Sequence, residues 1–370
     1  MTATPDAIEF RHWLATCLSG STTPWPAQIA ADTALDVIRR EGVVALLAWR
    51  LAESPVLVPA TVRDGLERAQ QGQLAWSLLL TARCRQLLAA LDATTIPVLL
   101  LKGSALAWWA YPAAHLRACS DIDLLFPSRA AAERARACFL ALGCTERDGP
   151  TPGDLVTSGC TLLWAHGSAP AIEIDLHWQL SGMPLFAQRF DWAELEREAI
   201  ALPPLAATAR GLSPVHAYLH AALHRAGNLA NRLPDSLKWL FDFELLGRRF
   251  TAADWQRVGA LAIERGLAGS CLDAARASAA CFGPRMPPAL ERRLDVTRGS
   301  EALDIRRIGN WWYVQRMNCA SYPTVGLKLR WLQQRLWPER AYRTARYGRE
   351  VGATGALWQR VRAACRRLRR

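Results

Sequence analysis

None of the ten cysteines stands in a C-x-x-C pair. The scatter excludes the common structural zinc frameworks and reads instead as buried thiols in a reducing compartment. No stretch reaches the roughly 18 uncharged apolar residues that a membrane-spanning helix needs. The longest run, Ile96–Tyr111, is broken by Lys102, Gly103 and Ser104. Asp6, Glu9 and Arg11 precede any apolar run, so no secretory leader is expected. The expected location is cytoplasmic, with peripheral attachment to a membrane as the one addition considered. No G-x-x-x-x-G-K-[ST] occurs, which excludes a P-loop. What is present is ordinary globular material: 370 residues, 51% hydrophobic and 21% charged, enough for two or three domains. The net charge of +12 suggests a polyanion partner until it is mapped. Residues 328–370 carry 13 basic and 2 acidic residues, which leaves 32 and 31 in the remainder of the chain. The body is nearly neutral and the tail is basic.

Periodicity divides the chain into a helical region (1–93), an α/β core (94–190), a helical domain (191–327) and a basic helical tail (328–370). Leu35–Leu51 and Leu66–Leu91 carry apolar residues at helical spacing, with Pro55 and Pro59 between them. The pattern then switches to short apolar runs. Ile96–Leu101, Asp121–Phe126, Cys160–Trp164 and Ala171–Trp178 read as strands. Ala105–Tyr111 reads as a short helix, and Ser128 as the N-cap of another that stops at Gly143. Ser213-Pro214 and Thr251-x-x-Asp254 announce later helices.

Asp121-Ile122-Asp123 is the most informative local feature. Alternate strand residues share a face, so two carboxylates project together about 7 Å apart. Such a pair is costly without a cation, and divalent metal ions would resolve the cost. In Glu173-Ile174-Asp175-Leu176-His177 the first, third and fifth side chains also share a face. If this strand neighbours the first, a third carboxylate joins the pair. Three carboxylates can hold two Mg²⁺ ions, one gripping a triphosphate and one activating a hydroxyl; Mn²⁺ is the alternative. The turn Lys102-Gly103-Ser104 opens a helix and can offer N–H groups to phosphate oxygens. Lys102 and Arg117 could neutralise phosphate charge there.

These residues resemble the DNA polymerase β-type nucleotidyltransferase superfamily, and more closely its bacterial branch of largely uncharacterised nucleotidyltransferases. The matching text is Leu100-Leu101-Lys102-Gly103-Ser104-Ala105-Leu106, Tyr111-Pro112, Arg117, Ser120-Asp121-Ile122-Asp123-Leu124-Leu125 and Ile174-Asp175-Leu176-His177-Trp178. The resemblance implies an α+β fold: a polymerase β-like core, a small mixed sheet with flanking helices, between N-terminal and C-terminal helical regions. It implies Asp121, Asp123 and Asp175 as catalytic metal ligands, and Gly103 and Ser104 at the triphosphate. Sixteen residues separate Ser104 from Asp121, more than the superfamily's commonest spacer.

The expected activity is metal-dependent transfer of a nucleoside monophosphate, ATP among the donors, to an unknown acceptor. The alternative is a nucleotide-binding regulatory or antitoxin-like module without turnover. Other residues keep plainer readings beside functional ones. Glu173 reads as a flanking group. His177 reads as a supporting histidine rather than a base. Arg117 could instead pair with Asp121 or Asp123. His216, His220 and His224 share one helix face, toward substrate or another helix. Trp108 and Trp109 read as packing. The tail, with Leu357, Trp358, Val361, Ala364 and Leu368 among its arginines, has the outline of a basic amphipathic helix. An anionic membrane surface or a protein are its candidate partners.

Overall fold

The computed structural model describes residues 5–53, 56–147, 149, 151–167 and 169–347, together with Gly355 and Arg362. The expected amphipathic segment at Leu357–Arg370 therefore lies, Arg362 apart, outside the described residues. Within them the fold is mixed: one seven-stranded sheet and many helices. The strands are β1 (Leu99–Leu100), β2 (Asp121–Leu125), β3 (Thr145–Glu146), β4 (Gly159–His166), β5 (Ala169–His177), β6 (Ile200–Ala201) and β7 (Arg210–Gly211). Their order is β3-β4-β5-β2-β1-β7-β6. β2 runs parallel to β5 and β1 parallel to β7, and the other neighbours are antiparallel. The sheet continues past residue 190, where the α/β core was expected to end, through β6 and β7.

Local signals set most helix boundaries. Ser128 accepts from the Ala131 N–H and opens Arg129–Ala141. Thr251 and Asp254 form a reciprocal capping box at Ala252–Glu264. Ser213 caps Pro214–Ala230, with proline in its first turn. Leu35–Leu51 differs from expectation. It is two helices, Ala31–Glu41 and Val44–Ala52, because Gly42 turns the chain at a left-handed φ of 69°. Leu66–Leu91 sits inside one 34-residue helix, Ala60–Ala93.

Two hydrophobic clusters hold the molecule. One joins the C-terminal half of Ala60–Ala93, the sheet and Arg129–Ala141 through Leu87, Leu91, Ile122, Ile174 and Phe139. The other fuses the N-terminal helices with those after residue 213, placing Phe10, Leu14 and Ile38 with Tyr218, Phe241 and Leu272. The two helical regions at opposite ends of the sequence thus share one core. Polar contacts mark the same seam: Glu41 accepts from Arg11 and from the Leu237 N–H.

The sheet is tied to the helical half by a buried ion pair. Arg117, just before β2, donates from Nε and Nη2 to both oxygens of Asp242 at 2.8 and 2.7 Å. Tyr111 adds a hydrogen bond of 2.7 Å to Asp242 Oδ1, and Arg117 is only 6% exposed. Removing one member of such a pair strands the other as a buried charge, which costs about 3–5 kcal/mol. Arg117→Met should therefore lower unfolding free energy by about that amount in denaturant titrations. Arg117→Met with Asp242→Leu should recover more than half of it. Additive losses in the double variant would refute the coupling.

Candidate active site

The register of β2 on β5 builds the site. Asp121 faces Glu173, Asp123 faces Asp175, and Leu125 faces His177 across the parallel pair. Asp123 and Asp175 are thus brought side by side, as expected if the two strands were neighbours. Ligand atoms of Asp123, Asp175 and His177 all lie within 4.8 Å of one another. Asp121 is outside that group among the described residues. It stands two residues earlier on β2, where Ser120 Oγ donates to its Oδ1 at 3.3 Å.

Asp123 is the centre of the cluster and is 2% exposed. Its Oδ1 meets Lys102 Nζ at 2.6 Å and His177 Nε2 at 3.1 Å. Burial alone would raise the Asp123 carboxyl and lower the Lys102 ammonium. The pairing prevails: Lys102 and His177 hold Asp123 well below the usual carboxylate range, and Asp123 holds Lys102 above its ordinary value. Burial, then repulsion from Asp123, raises the Asp121 carboxyl. Thr161 Oγ1, on β4 opposite Asp175, donates to Asp175 Oδ1 at 2.6 Å.

The turn after β1 is pinned to the carboxylate strand. Leu101 N–H donates to Asp123 O. Ser104 Oγ accepts from the Asp123 N–H at 3.2 Å and donates to Asp121 O at 3.3 Å. Lys102 has a φ of +48°, uncommon for a residue with a Cβ. That strain is offset by the ion pair it makes possible. A Cβ on Gly103 would stand 2.5 Å from Cys119 Sγ, with Arg117 Nη1 at 3.5 Å. The glycine is thus required by close packing.

Other expected residues have partners of their own. Arg117, considered for phosphate contact or for pairing with Asp121 or Asp123, has Asp242 as its partner. Glu173 pairs with Arg147 at the surface. His216 is apart from His220 and His224, bonded to Ser213 Oγ at 2.9 Å and Glu194 Oε1 at 3.0 Å. Glu194, Glu198 and His216 form a second group with metal-like spacing. Arg257 and Arg265 already pair with its carboxylates. His177, expected as a supporting histidine, bonds to Asp123 Oδ1, and Thr161, which had no expected role, bonds to Asp175. The alternation from Asp175 already puts His177 on the carboxylate face, whereas Thr161 carried no signal.

Beside the cluster opens a chamber of about 610 Å³ between the sheet and the helical half. Lys102 and His177 lie on its sheet side. Helix Pro214–Ala230 supplies His220, Leu223, His224, Gly227 and Asn228, one face at i, i+3, i+4 spacing, and its C-cap Asn231 continues that face. Helices Trp311–Ala320 and Val325–Leu336 close it with Trp311, Asn318 and Trp331, among others.

A family model described as an uncharacterised nucleotidyltransferase matches residues 27–283. The chain belongs to that family. Among curated proteins none matches it. In this nucleotidyltransferase-family chain the matched span includes the whole sheet and the carboxylate cluster. The chamber walls from Trp311 to Arg335 lie beyond it.

Burial, with Lys102 nearby, drives His220 and His224 down to about 3 from 6.5. Both are neutral in the folded protein near pH 7, and they would take up protons on unfolding below pH 6.5. The unfolded state then binds more protons, so stability rises with pH and is lost as pH falls from 6.5 toward 3. Each histidine can add a slope of up to about 1.4 kcal/mol per pH unit in that window. Urea titrations at several pH values should give a shallower slope for His220→Gln/His224→Gln than for the parent. Equal slopes would show that these histidines do not titrate on unfolding.

Proposed function

We propose that the chain transfers a nucleoside monophosphate from a nucleoside triphosphate to an acceptor, on a polymerase β-like core. The observation that carries this reading is the triad Asp123, Asp175 and His177, with ligand atoms within 4.8 Å, in a member of a nucleotidyltransferase family. A second carboxylate beside the Lys102-paired Asp123 leaves negative charge to balance, and two carboxylate oxygens suit Mg²⁺ or Mn²⁺, the imidazole of His177 favouring Mn²⁺ of the two. Asp123, Asp175 and His177 would hold the metal, with Asp121 extending the set toward a second ion. Bound there, the metal supplies Lewis acidity toward phosphoryl oxygens and lowers the pKa of an attacking hydroxyl.

The chain's own residues do the remaining work. Gly103 and Ser104, at the start of a helix, would meet the triphosphate through backbone N–H groups. Lys102 places an ammonium beside Asp123, where phosphate charge would gather. Asp175, oriented by Thr161, would receive the acceptor proton. The acceptor oxygen bonds to the α-phosphorus, the bond from α-phosphorus to the bridging oxygen breaks, and pyrophosphate leaves. Arg117 has no part in this scheme, because its guanidinium is held by Asp242.

The test is pyrophosphate release and labelled-nucleotide transfer with Mg²⁺, in parent, Asp123→Asn and Asp175→Asn proteins. Removing groups that merely support metal ligands typically costs 10–100-fold, so loss of a ligand should cost more than about 100-fold. Chelation should abolish transfer and added Mn²⁺ should restore it. Undiminished turnover in either variant would sink the assignment. Nucleotide binding by calorimetry with no product under any metal would favour the non-catalytic module.

The C-terminal region suits an anionic phospholipid surface. Val325, Leu329, Leu332 and Leu336 are exposed along one face of helix Val325–Leu336, in a stretch whose sequence also carries Lys328, Arg335, Arg340 and Arg343. Exposed apolar side chains in a basic stretch of chain match the acyl and headgroup layers of an anionic bilayer. No helix among the described residues is long and apolar enough to cross a membrane. Full-length protein should sediment with phosphatidylserine-containing vesicles, less so with neutral ones, and Leu329→Glu/Leu332→Glu should reduce it. Equal sedimentation with both vesicle types would remove the idea.

A further inference from the structure

The chamber and the carboxylate cluster are neighbours of opposite charge. Lys102, Arg232 and Arg335 line the chamber, and no aspartate or glutamate is among its lining residues. Asp123, with Asp175, sits just behind Lys102 and His177, both of which contact Asp123. Two lining residues also hold buried N–H groups with no partner among the described residues: the Asn228 side-chain amide nitrogen and the Trp331 indole nitrogen. Trp331 is only 3% exposed. Both nitrogens are closed off from the chamber by their own packing, so the chemistry of the chamber is set by its lining cations, Lys102, Arg232 and Arg335, which favour a ligand with acceptor oxygens. Carboxylate and phosphate oxygens satisfy ammonium and guanidinium groups together, whereas a cationic ligand would satisfy neither. The volume, about 610 Å³, falls in the usual range of small-molecule sites, about 300–1,000 Å³. Gly103, Ser104 and Asp121 line a different crevice, together with Trp76 and Trp108. Of the residues expected at the triphosphate, Lys102 alone also lines the chamber, at its sheet side, which leaves the far side around Arg232 and Arg335 to the second substrate.

We propose that the chamber binds the acceptor of the transfer, and that this acceptor is a small molecule carrying a carboxylate or phosphate group. The inference rests on the nucleotidyltransferase reading for the word acceptor, and on the chamber alone for the chemistry of the ligand. The anionic group lies toward Arg232 and Arg335. The nucleophilic hydroxyl lies toward His177 and Asp175. In the step, the hydroxyl oxygen bonds to the α-phosphorus, its proton passes to Asp175, and pyrophosphate departs with the electrons of the broken bond.

The experiment uses full-length protein without metal or nucleotide, so that binding is read apart from transfer. The probe is the metabolite fraction of a deproteinised cell extract, equilibrated with the protein, washed on an ultrafilter and identified by mass spectrometry. The expected result is retention of species that are anionic at pH 7. Retention should drop by at least about tenfold in Arg335→Glu and in Arg232→Glu, the scale expected for losing a hydrogen bond or ion pair to a charged group. Both variants should unfold at the parent's denaturant midpoint, which separates lost binding from lost folding. Competition by inorganic phosphate, but not acetate, would identify a phosphate ligand, and the reverse a carboxylate. Retention of only neutral or cationic species, equal retention by both variants, or no retention would overturn the proposal. Transfer to a peptide or nucleic-acid end with no small anion retained would also overturn it, while leaving the transferase reading intact. A retained anion with no transfer under any metal would do the opposite.

Discussion

The parallel register that sets Asp123 against Asp175 is the constraint on which the remainder of the site depends. It places two carboxylates on adjacent strands, one of them almost wholly buried. A buried carboxylate persists only if positive charge or hydrogen-bond donors surround it. The chain supplies both from either side of β2. The turn after β1 brings Lys102 in through a left-handed backbone, and β5 brings His177 two residues beyond Asp175. Ser104 then bonds to backbone groups on either side of Ile122, fixing turn to strand. The two-residue length of β1 follows: the strand ends where the turn must leave to reach the carboxylate.

That arrangement needs a buttress, and the helices provide it across large sequence distances. Arg117 leads into β2, and its partner Asp242 lies on a helix 125 residues later. The same helical half packs with the N-terminal helices in one core. The sheet is therefore gripped at the end of the carboxylate strand by a body whose halves come from both ends of the chain. The chamber is the gap left where this body meets the sheet. Its position beside Lys102 and His177 is a consequence of the docking that the Arg117–Asp242–Tyr111 contacts maintain.

How much of this was legible follows from the range of each signal. Strand alternation is local, so Asp121-Ile122-Asp123 and Glu173 through His177 could be read directly, including which side chains share a face. Caps are local too, and Ser128, Ser213 and the Thr251–Asp254 box act where the sequence places them. Gly42 could have been read as a helix break, but the apolar spacing across it is continuous enough to mask the turn. β6 and β7 have two residues each, too few to carry any period. The partner of Arg117 was beyond reach because nothing local distinguishes a guanidinium that meets phosphate from one that meets Asp242. The chamber was equally hidden, since its walls come from residues 101 to 335 and no window of sequence contains them.

The identity of the residue at the boundary between acid and base is itself informative. The chain carries 45 Lys and Arg residues, of which only Lys102, Lys238 and Lys328 are lysines. An arginine is therefore the default cation of this sequence, and position 102 departs from it. A guanidinium is a planar fork suited to two acceptor oxygens in one plane, as Arg117 uses on Asp242. At Asp123 the contacted atom is Oδ1, and His177 already shares it. A compact ammonium can approach that crowded oxygen end-on; a fork would displace the imidazole or turn the carboxylate from Asp175. Lysine also faces the chamber as a point charge on a flexible stem, so it can answer to either side. The sequence uses its rare cation where acid cluster and cationic chamber meet, because that junction requires a charge without a plane.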